Sequence, residues 1–354
     1  MPVGTLTRRD VRLLTICAVG LAASGVLHYV GAGDIAPFVV SALALALLAS
    51  LVGRSVEALG DRLGAGATGV VQSALGNLPE LFVTLFALHA GLYDVVRAAI
   101  VGSILANVLL VLGLAFVVGG LRHGTQSFGA ETAGGISLML VLAVAALLVP
   151  SLTANLHTPA AGHERALSII VSIMLLALFA LSLPAAIRRS GSDGEAGEAK
   201  EGEWPLALAI GMLAGAGVAA AFVSDWFVDG LTPAMDSLGI SQVFAGLVIV
   251  AIAGNAVENV VGIQLAARNR PDYAVSVILQ SPLQIALVLA PVVVLAAPLV
   301  GATFTLVLSP LLIAVLAIAV LVTVLVVLDG ESTWFEGAAL VALYAMIATA
   351  FWWG

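Results

Sequence analysis

Long apolar runs with only brief interruptions constrain this chain more than any other feature. About eleven stretches of roughly 20 residues run near 11–30, 37–59, 66–91, 94–119, 132–151, 165–187, 205–225, 240–268, 271–297, 302–328 and 334–353. A helix of that length crosses the hydrocarbon core of a bilayer, and inside that core only helices and closed barrels satisfy their backbone polar groups. Barrel strands would show segments of alternating polarity, and these are absent. Composition agrees: 10% of residues are charged, where a soluble protein carries about a quarter, and mean hydropathy is +1.16. The expectation is an all-α protein of the membrane with about eleven spans.

The single cysteine, Cys17, excludes a disulfide framework and a cysteine-rich metal site. The net charge of -8 comes with basic clusters that are short and lie between apolar runs, so a nucleic-acid partner is not expected. The first apolar stretch follows Arg8, Arg9 and Arg12, as a signal peptide would, but it is long for one, and a retained helix is expected. Trp204, Trp226, Tyr273, Trp334, Trp352 and Trp353 fall near segment ends, where amphipathic rings favour the interface.

Basic residues set the orientation. With a cytoplasmic N-terminus, Arg8, Arg9, Arg12, Arg54, Arg62, Arg122, Arg188, Arg189, Lys200, Arg268 and Arg270 lie inside. Only Arg97 and Arg165 lie outside. The expected location is the inner membrane, with the C-terminus extracytoplasmic. One hydrophilic stretch, 188–204, carries Asp193, Glu195, Glu198, Glu201 and Glu203 and reads as a solvated, flexible linker. It divides the chain into an N-terminal helix (1–36), a five-helix half (37–187), the linker (188–204) and a second five-helix half (205–354).

The halves repeat each other. Residues 76–80 read Gly-Asn-Leu-Pro-Glu, and 254–258, 178 positions on, read Gly-Asn-Ala-Val-Glu. At the same offset Asp94 matches Asp272 and Ser103 matches Ser281, while Gly102 meets Gln280. Identities spread over such a length mark an internal duplication. The orientation above sends the Glu80 helix outward and the Glu258 helix inward, so the two five-helix repeats are inverted. Inverted repeats are a recurrent transporter architecture, with the substrate bound near mid-membrane.

Glu80 and Glu258 sit well inside apolar runs, where an acid costs about 2.5–3.5 kcal/mol to insert, and buried acids in membranes mark function. Gly76 and Gly254 loosen the helices and Pro79 removes a backbone donor, so freed carbonyls can line a site. Asn77 and Asn255 add amide oxygens, and the following helices contribute Ser103, Asn107, Ser281, Gln280 and Gln284. An all-oxygen set suits a hard cation such as Ca²⁺ and argues against Zn or Cu. His28, His89, His123, His157 and His163 fall near helix ends or loops. No Walker A, Ser-His-Asp or kinase pattern occurs, so no enzyme and no cofactor is expected and an ion gradient must supply the energy. Two carboxylates in one low-dielectric site cannot both stay ionised when empty. They take up protons or one divalent cation, and exclusive occupancy by either is antiport.

The segments Gly76–Glu80, Gly102–Asn107, Gly254–Glu258 and Ser281–Ile285 resemble the two α-repeats of the cation/Ca²⁺ exchanger superfamily, on the side of the Ca²⁺/H⁺ exchangers. The resemblance implies that Glu80 and Glu258 are the central Ca²⁺- and proton-binding residues, surrounded by Asn77, Asn255, Ser103, Ser281 and Gln284. It also implies roles in ion access for Glu57 and Asp225; an interfacial carboxylate is the alternative at both. Two departures stand out. Pro79 is similar to the Na⁺/Ca²⁺ branch, and Asn259 stands where Ca²⁺/H⁺ exchangers often carry His. Ile285 occupies the place of an Asp typical of the Na⁺-coupled branch, which favours H⁺ as counter-ion. Na⁺/Ca²⁺ exchange, exchange of Na⁺ or Mg²⁺ for protons, and a channel or ion-binding scaffold remain the alternatives.

Overall fold

A computed structural model describes residues 6–31, 33–63, 75–192 and 204–353, with the side chains of 60–63, 183–192, 257 and 258 outside the described set. Among the described residues eight helices are long and apolar enough to cross a membrane. A bent pair, Gln242–Gly254 with Asn259–Ala267, has arms that meet at 63° and forms either a broken ninth span or a re-entrant loop. Two shorter apolar helices, Leu78–His89 and Trp334–Ala350, complete the set. The chain is a mostly helical, multi-pass membrane protein.

In order, the helices are α1 (Arg8–Val30), α2 (Ile35–Leu63), α3 (Leu78–His89) and α4 (Tyr93–Leu105), which passes through a π-helical turn at Ala106–Val111 into α5 (Leu112–His123). Then come α6 (Ala130–Asn155), α7 (Glu164–Ser192) and α8 (Leu206–Leu238). A second π turn, Ala245–Val250, links α9 (Gln242–Phe244) to α10 (Ala251–Gly254), and α11 (Ala256–Ala267) follows the break at Asn255. A third π turn, Ile285–Leu289, joins α12 (Pro271–Gln284) to α13 (Ala290–Ala296), and the chain ends with α14 (Pro310–Val327) and α15 (Trp334–Ala350). Strands β1 (Gln126–Ser127) and β2 (Glu331–Ser332) form one short antiparallel pair.

Two compact units emerge, each drawing on both halves of the chain. The first comprises Met1–Phe86 and Ala177–Leu238. There Phe38 stacks on Phe227 at 5.0 Å, the Ser24 and Ser41 hydroxyls bond at 2.6 Å, and Gly25 makes room for the Trp226 ring. Arg54 joins Asp10 (3.4 Å) to Glu57 (3.0 Å) and lies over the Trp204 ring. The second unit comprises Ala87–Leu176 and Gly239–Gly354 and holds the densest core, with Ile104, Leu105, Leu109, Leu112 and Leu247 fully buried.

Two boundaries differ from the sequence expectation. The span expected to stop near residue 225 continues as α8 to Leu238. Asp225, Asp229 and Asp236 suggest an end, but Phe227, Val228, Leu231, Ala234 and Met235 keep an apolar stripe buried beyond it. Trp226 accordingly packs inside the first unit, stacked on His28 at 5.8 Å. The span expected from 302 begins only at Pro310, because residues 302–309 form neither helix nor strand. Ser151 Oγ donates to the Leu306 carbonyl (2.7 Å) and accepts from the Leu308 amide (2.9 Å), and Ser168 Oγ accepts from the Leu306 amide (3.0 Å). Side chains thus satisfy the backbone that a helix would have satisfied itself.

Candidate cation site

Glycine sets the geometry where α4 crosses the Ala245–Val250 turn. A Cβ on Gly102 would stand 2.5 Å from Leu247 Cα, and one on Gly246 would stand 2.9 Å from Ala98 Cβ. The two backbones can therefore approach only because both residues lack a side chain. That approach carries Ser103, the next residue, up to the break in the following helix.

At the break the chain passes through Asn255 at φ -106°, ψ 13°, outside helical geometry. The Asn255 side chain, 2% exposed, donates from Nδ2 to Ser103 Oγ (3.1 Å) and to the Ala251 carbonyl (3.1 Å). Its Oδ1 accepts from Ser281 Oγ at 3.5 Å. Ser103 and Ser281 are the two serines matched across the 178-residue offset, and Asn255 sits between them. Asn107, in the π turn, donates from Nδ2 to the Ser103 carbonyl (2.8 Å). A π turn inserts one extra residue and shifts the backbone bonding, a distortion common at functional sites. Gln284, buried, lies one turn past Ser281 and immediately before the third π turn.

The sequence-predicted acids occupy equivalent places along their helices. Glu80 is the third residue of α3 and Glu258 the third of α11, each in the turn where the helix N-terminus favours negative charge. Glu80 is 1% exposed, and Thr84 Oγ1 donates to its carbonyl at 3.0 Å. The Glu258 side chain lies outside the described residues. Gly76 and Asn77 form the turn that opens α3, where the Leu81 amide donates to the Asn77 carbonyl at 3.0 Å. Ser103, Asn107, Asn255, Ser281 and Gln284 belong to the second unit, whereas Glu80, Asn77 and Gly76 belong to the first. Glu57 is exposed and paired with Arg54, and Asp225 is half-buried well inside α8. The acids of the 188–204 linker lie outside the described residues. Among the described residues no group of three or more His, Cys, Asp or Glu comes together. The donors that do converge are hydroxyls and carboxamides.

Sequence reasoning passed over Gly246, whose setting between Ala245 and Leu247 in an apolar run was the only signal of close packing. It registered Asn259 only as a departure from a pattern, yet this side chain is 9% exposed with its Oδ1 buried.

A model of the sodium/calcium exchanger protein family matches residues 34–188 and 208–353. The chain belongs to that family. A protein of Aphanothece halophytica named a Ca²⁺/H⁺ antiporter is 33% identical over 344 residues, covering 92% of each chain. The Ca²⁺/H⁺ antiporter ChaA of Bacillus subtilis is 34% identical over 320 residues, covering 89% of this chain and 91% of its own. The solved structure of native YfkE superposes with a TM-score of 0.82 at 32% identity, covering 96% of this chain and 99% of that one. The resemblance in the two Gly-Asn-x-x-Glu segments thus extends over the length of this exchanger-family chain, and its named relatives lie on the Ca²⁺/H⁺ side.

Proposed function

We propose that the chain is a secondary antiporter exchanging Ca²⁺ for H⁺, with Glu80 and Glu258 as the acids that bind either the cation or protons. The observation that carries this reading is the Ser103–Asn255–Ser281 chain at a helix break. Two serines matched by the repeat meet one carboxamide in the buried interior of a membrane protein, and Ser103 Oγ, Asn255 Oδ1 and Ser281 Oγ are hard oxygens of the kind that ligate Ca²⁺. The gene-duplicated plan adds support. Helices α3 and α11 both run 12 residues and begin 178 positions apart (78 to 256). Helices α4 and α12 also start 178 apart (93 to 271), and their π turns end 178 apart (111 to 289). Nine spans and two shorter apolar helices fit eleven membrane segments: one N-terminal helix and two inverted repeats of five. In this topology the N-terminus and residues 188–204 face the cytoplasm and Gly354 faces outward.

The mechanism follows from charge. Loaded with Ca²⁺ or with protons, the paired acids are neutralised and the site can change its exposure. Empty and doubly charged, it is held back by the cost of carrying charge through a low dielectric. Asn77, Asn255, Ser103, Ser281 and Gln284 complete the oxygen shell, with Asn107 bordering it and freed carbonyls near Gly76 and Gly254. Glu57 and Asp225 are assigned to ion access. Protons rather than Na⁺ are favoured because Ile285 is apolar and fully buried, leaving no carboxylate at that place, and because the relatives are named Ca²⁺/H⁺ antiporters.

The deciding experiment is ⁴⁵Ca²⁺ uptake into proteoliposomes under an imposed pH gradient, and again under a Na⁺ gradient. Uptake driven by the pH gradient alone is expected. Uptake that ignores pH and collapses without Na⁺ would overturn the proton assignment, and non-saturating flux without a counter-ion would point to a channel. Ile285→Asp is expected to introduce Na⁺ sensitivity.

A further inference from the structure

In the second unit, the stretch Tyr93–His123 and helix α11 run side by side in the same direction. Their contacts climb in step. Ser103 meets Asn255, and Val111 Cγ1 lies 3.8 Å from where a Cβ on Gly262 would stand. Farther along, His123 reaches the Ala267 carbonyl at 3.0 Å and Gln126 donates to the Ala266 carbonyl at 3.2 Å. Between the first two rungs stand Asn107, four residues beyond Ser103, and Asn259, four beyond Asn255. Residues four apart share a helix face, so the register sets Asn107 and Asn259 level with each other on facing stripes.

Both side chains are buried, at 1% and 9% exposure, and in each the carboxamide oxygen Oδ1 has no hydrogen-bond partner. Asn107 Nδ2 is held by the Ser103 carbonyl, so the oxygen is the open end of that side chain. A buried acceptor left empty is unfavourable, and an apolar residue of the same shape would remove the penalty. Two such oxygens at one level offer paired acceptors to an occupant between the helices. The duplication does not explain them: at the 178-residue offset Asn107 corresponds to Ile285 and Asn259 to Leu81.

We propose that Asn107 Oδ1 and Asn259 Oδ1 form a second, uncharged station for the transported divalent cation, one helical turn from the Ser103–Asn255–Ser281 cluster and on one access route only. The proposal rests on the Ca²⁺ reading above. Carboxamide oxygens are hard ligands that replace hydration water, and they carry no charge to trap the ion. Conduction past a site requires binding weak enough to release. The route is the one that leads toward Arg122, Arg268 and Arg270, the cytoplasmic side in the proposed topology.

Asn259→Leu and Asn259→Asp test this in proteoliposomes and in purified protein. Asn259→Leu is expected to keep or raise Tm, to lower Ca²⁺ uptake about ten-fold, and to change the Ca²⁺/Sr²⁺ competition ratio. Asn259→Asp is expected to lower the apparent KM for Ca²⁺ and the maximal rate together, because an added charge holds the ion. If Asn259→Leu does not fold, the KM and rate of Asn259→Asp decide. Wild-type rate, KM and Sr²⁺ preference in the variant that folds would overturn the station, leaving the oxygens to a structural water. Wild-type protein that moves no Ca²⁺ in either gradient would instead sink the exchange reading. In that case the rise in Tm on adding Ca²⁺, Sr²⁺, Mg²⁺ or Na⁺ decides the station. The rise must shrink in Asn259→Leu for an ion the wild type binds, and equal rises overturn it.

Discussion

Gly102→Ala adds one methyl group where α4 crosses the Ala245–Val250 turn. The new Cβ would stand 2.5 Å from Leu247 Cα and 2.6 Å from its carbonyl carbon. Carbon atoms pack at about 3.5–4.0 Å, so the two backbones must separate by about 1 Å. No side-chain rotation relieves this, because the obstacle is main chain. Overpacking a core costs about 1–3 kcal/mol, and a backbone clash belongs at the top of that range. The functional loss is larger than the stability loss. Separation by 1 Å stretches the 3.1 Å Asn255–Ser103 bond beyond hydrogen-bond length, and the cation cluster opens. The assay pairs Tm in detergent with ⁴⁵Ca²⁺ uptake per folded molecule, and both are expected to fall, uptake by at least about ten-fold. Gly211→Ala is the control. It sits in a helix with nothing within 4 Å of its would-be Cβ, and alanine there stabilises by about 0.5–1 kcal/mol. If Gly102→Ala matches Gly211→Ala in both Tm and uptake, the close crossing does not position Ser103 and the reasoning fails.

Glu80→Gln and Glu258→Gln are each expected to abolish exchange while leaving expression and folding intact, because the amide is isosteric but cannot ionise; near-normal Ca²⁺ flux in either would refute their role. Apparent Ca²⁺ affinity is expected to fall as pH drops from about 8 to about 6, since bound protons remove the charge the cation needs, and an affinity flat across that range would exclude competition at shared acids. Ser151→Ala leaves the Leu306 carbonyl and the Leu308 amide without their partner, so a loss of about 2–4 kcal/mol is expected, read as a drop in Tm with uptake per folded molecule preserved. An accessibility scan is expected to find 188–204 cytoplasmic and Gly354 outside, and finding both on one side would refute the inverted plan.

Much of this was legible because bilayer physics narrows the choices. Run length located the eight long apolar helices found among the described residues, and the Gly-Asn pairs marked where α3 and α11 begin, since glycine followed by a polar amide is costly inside an apolar helix. Legibility failed where tertiary contacts replaced helical hydrogen bonds. Nothing in Thr303–Leu308 announces a non-helical chain; it is held by Ser151 and Ser168, more than 130 residues earlier in sequence. The three π turns were equally unreadable, because an extra residue per turn depends on what the helix packs against rather than on local preference. Asn255 was expected near the site, but its place between Ser103 and Ser281 depends on Gly102 and Gly246, and only their backbone contacts reveal that.

Across the 178-residue offset the starts of α3 and α11, and of α4 and α12, coincide, while many side chains differ. Ser103 and Ser281 are kept, as are Asp94 and Asp272, but the two aspartates have different partners. Asp94 accepts from Arg97 at 3.0 Å, while Asp272 accepts from the Gly129 amide at 2.6 Å. Arg97 corresponds at the 178-residue offset to Val275, and its guanidinium lies over the Phe304 ring at 5.7 Å. An inverted repeat with identical halves would make the two exposures of a transport site equal in energy, and each ion would meet the same groups from either side. Unequal pairs such as Arg97 with Val275 and Asn259 with Leu81 remove that equality. In the proposed topology the Arg97–Asp94 ion pair stands on the outer route, where the other repeat has Val275 and Asp272, and the uncharged Asn107–Asn259 level sits on the inner one.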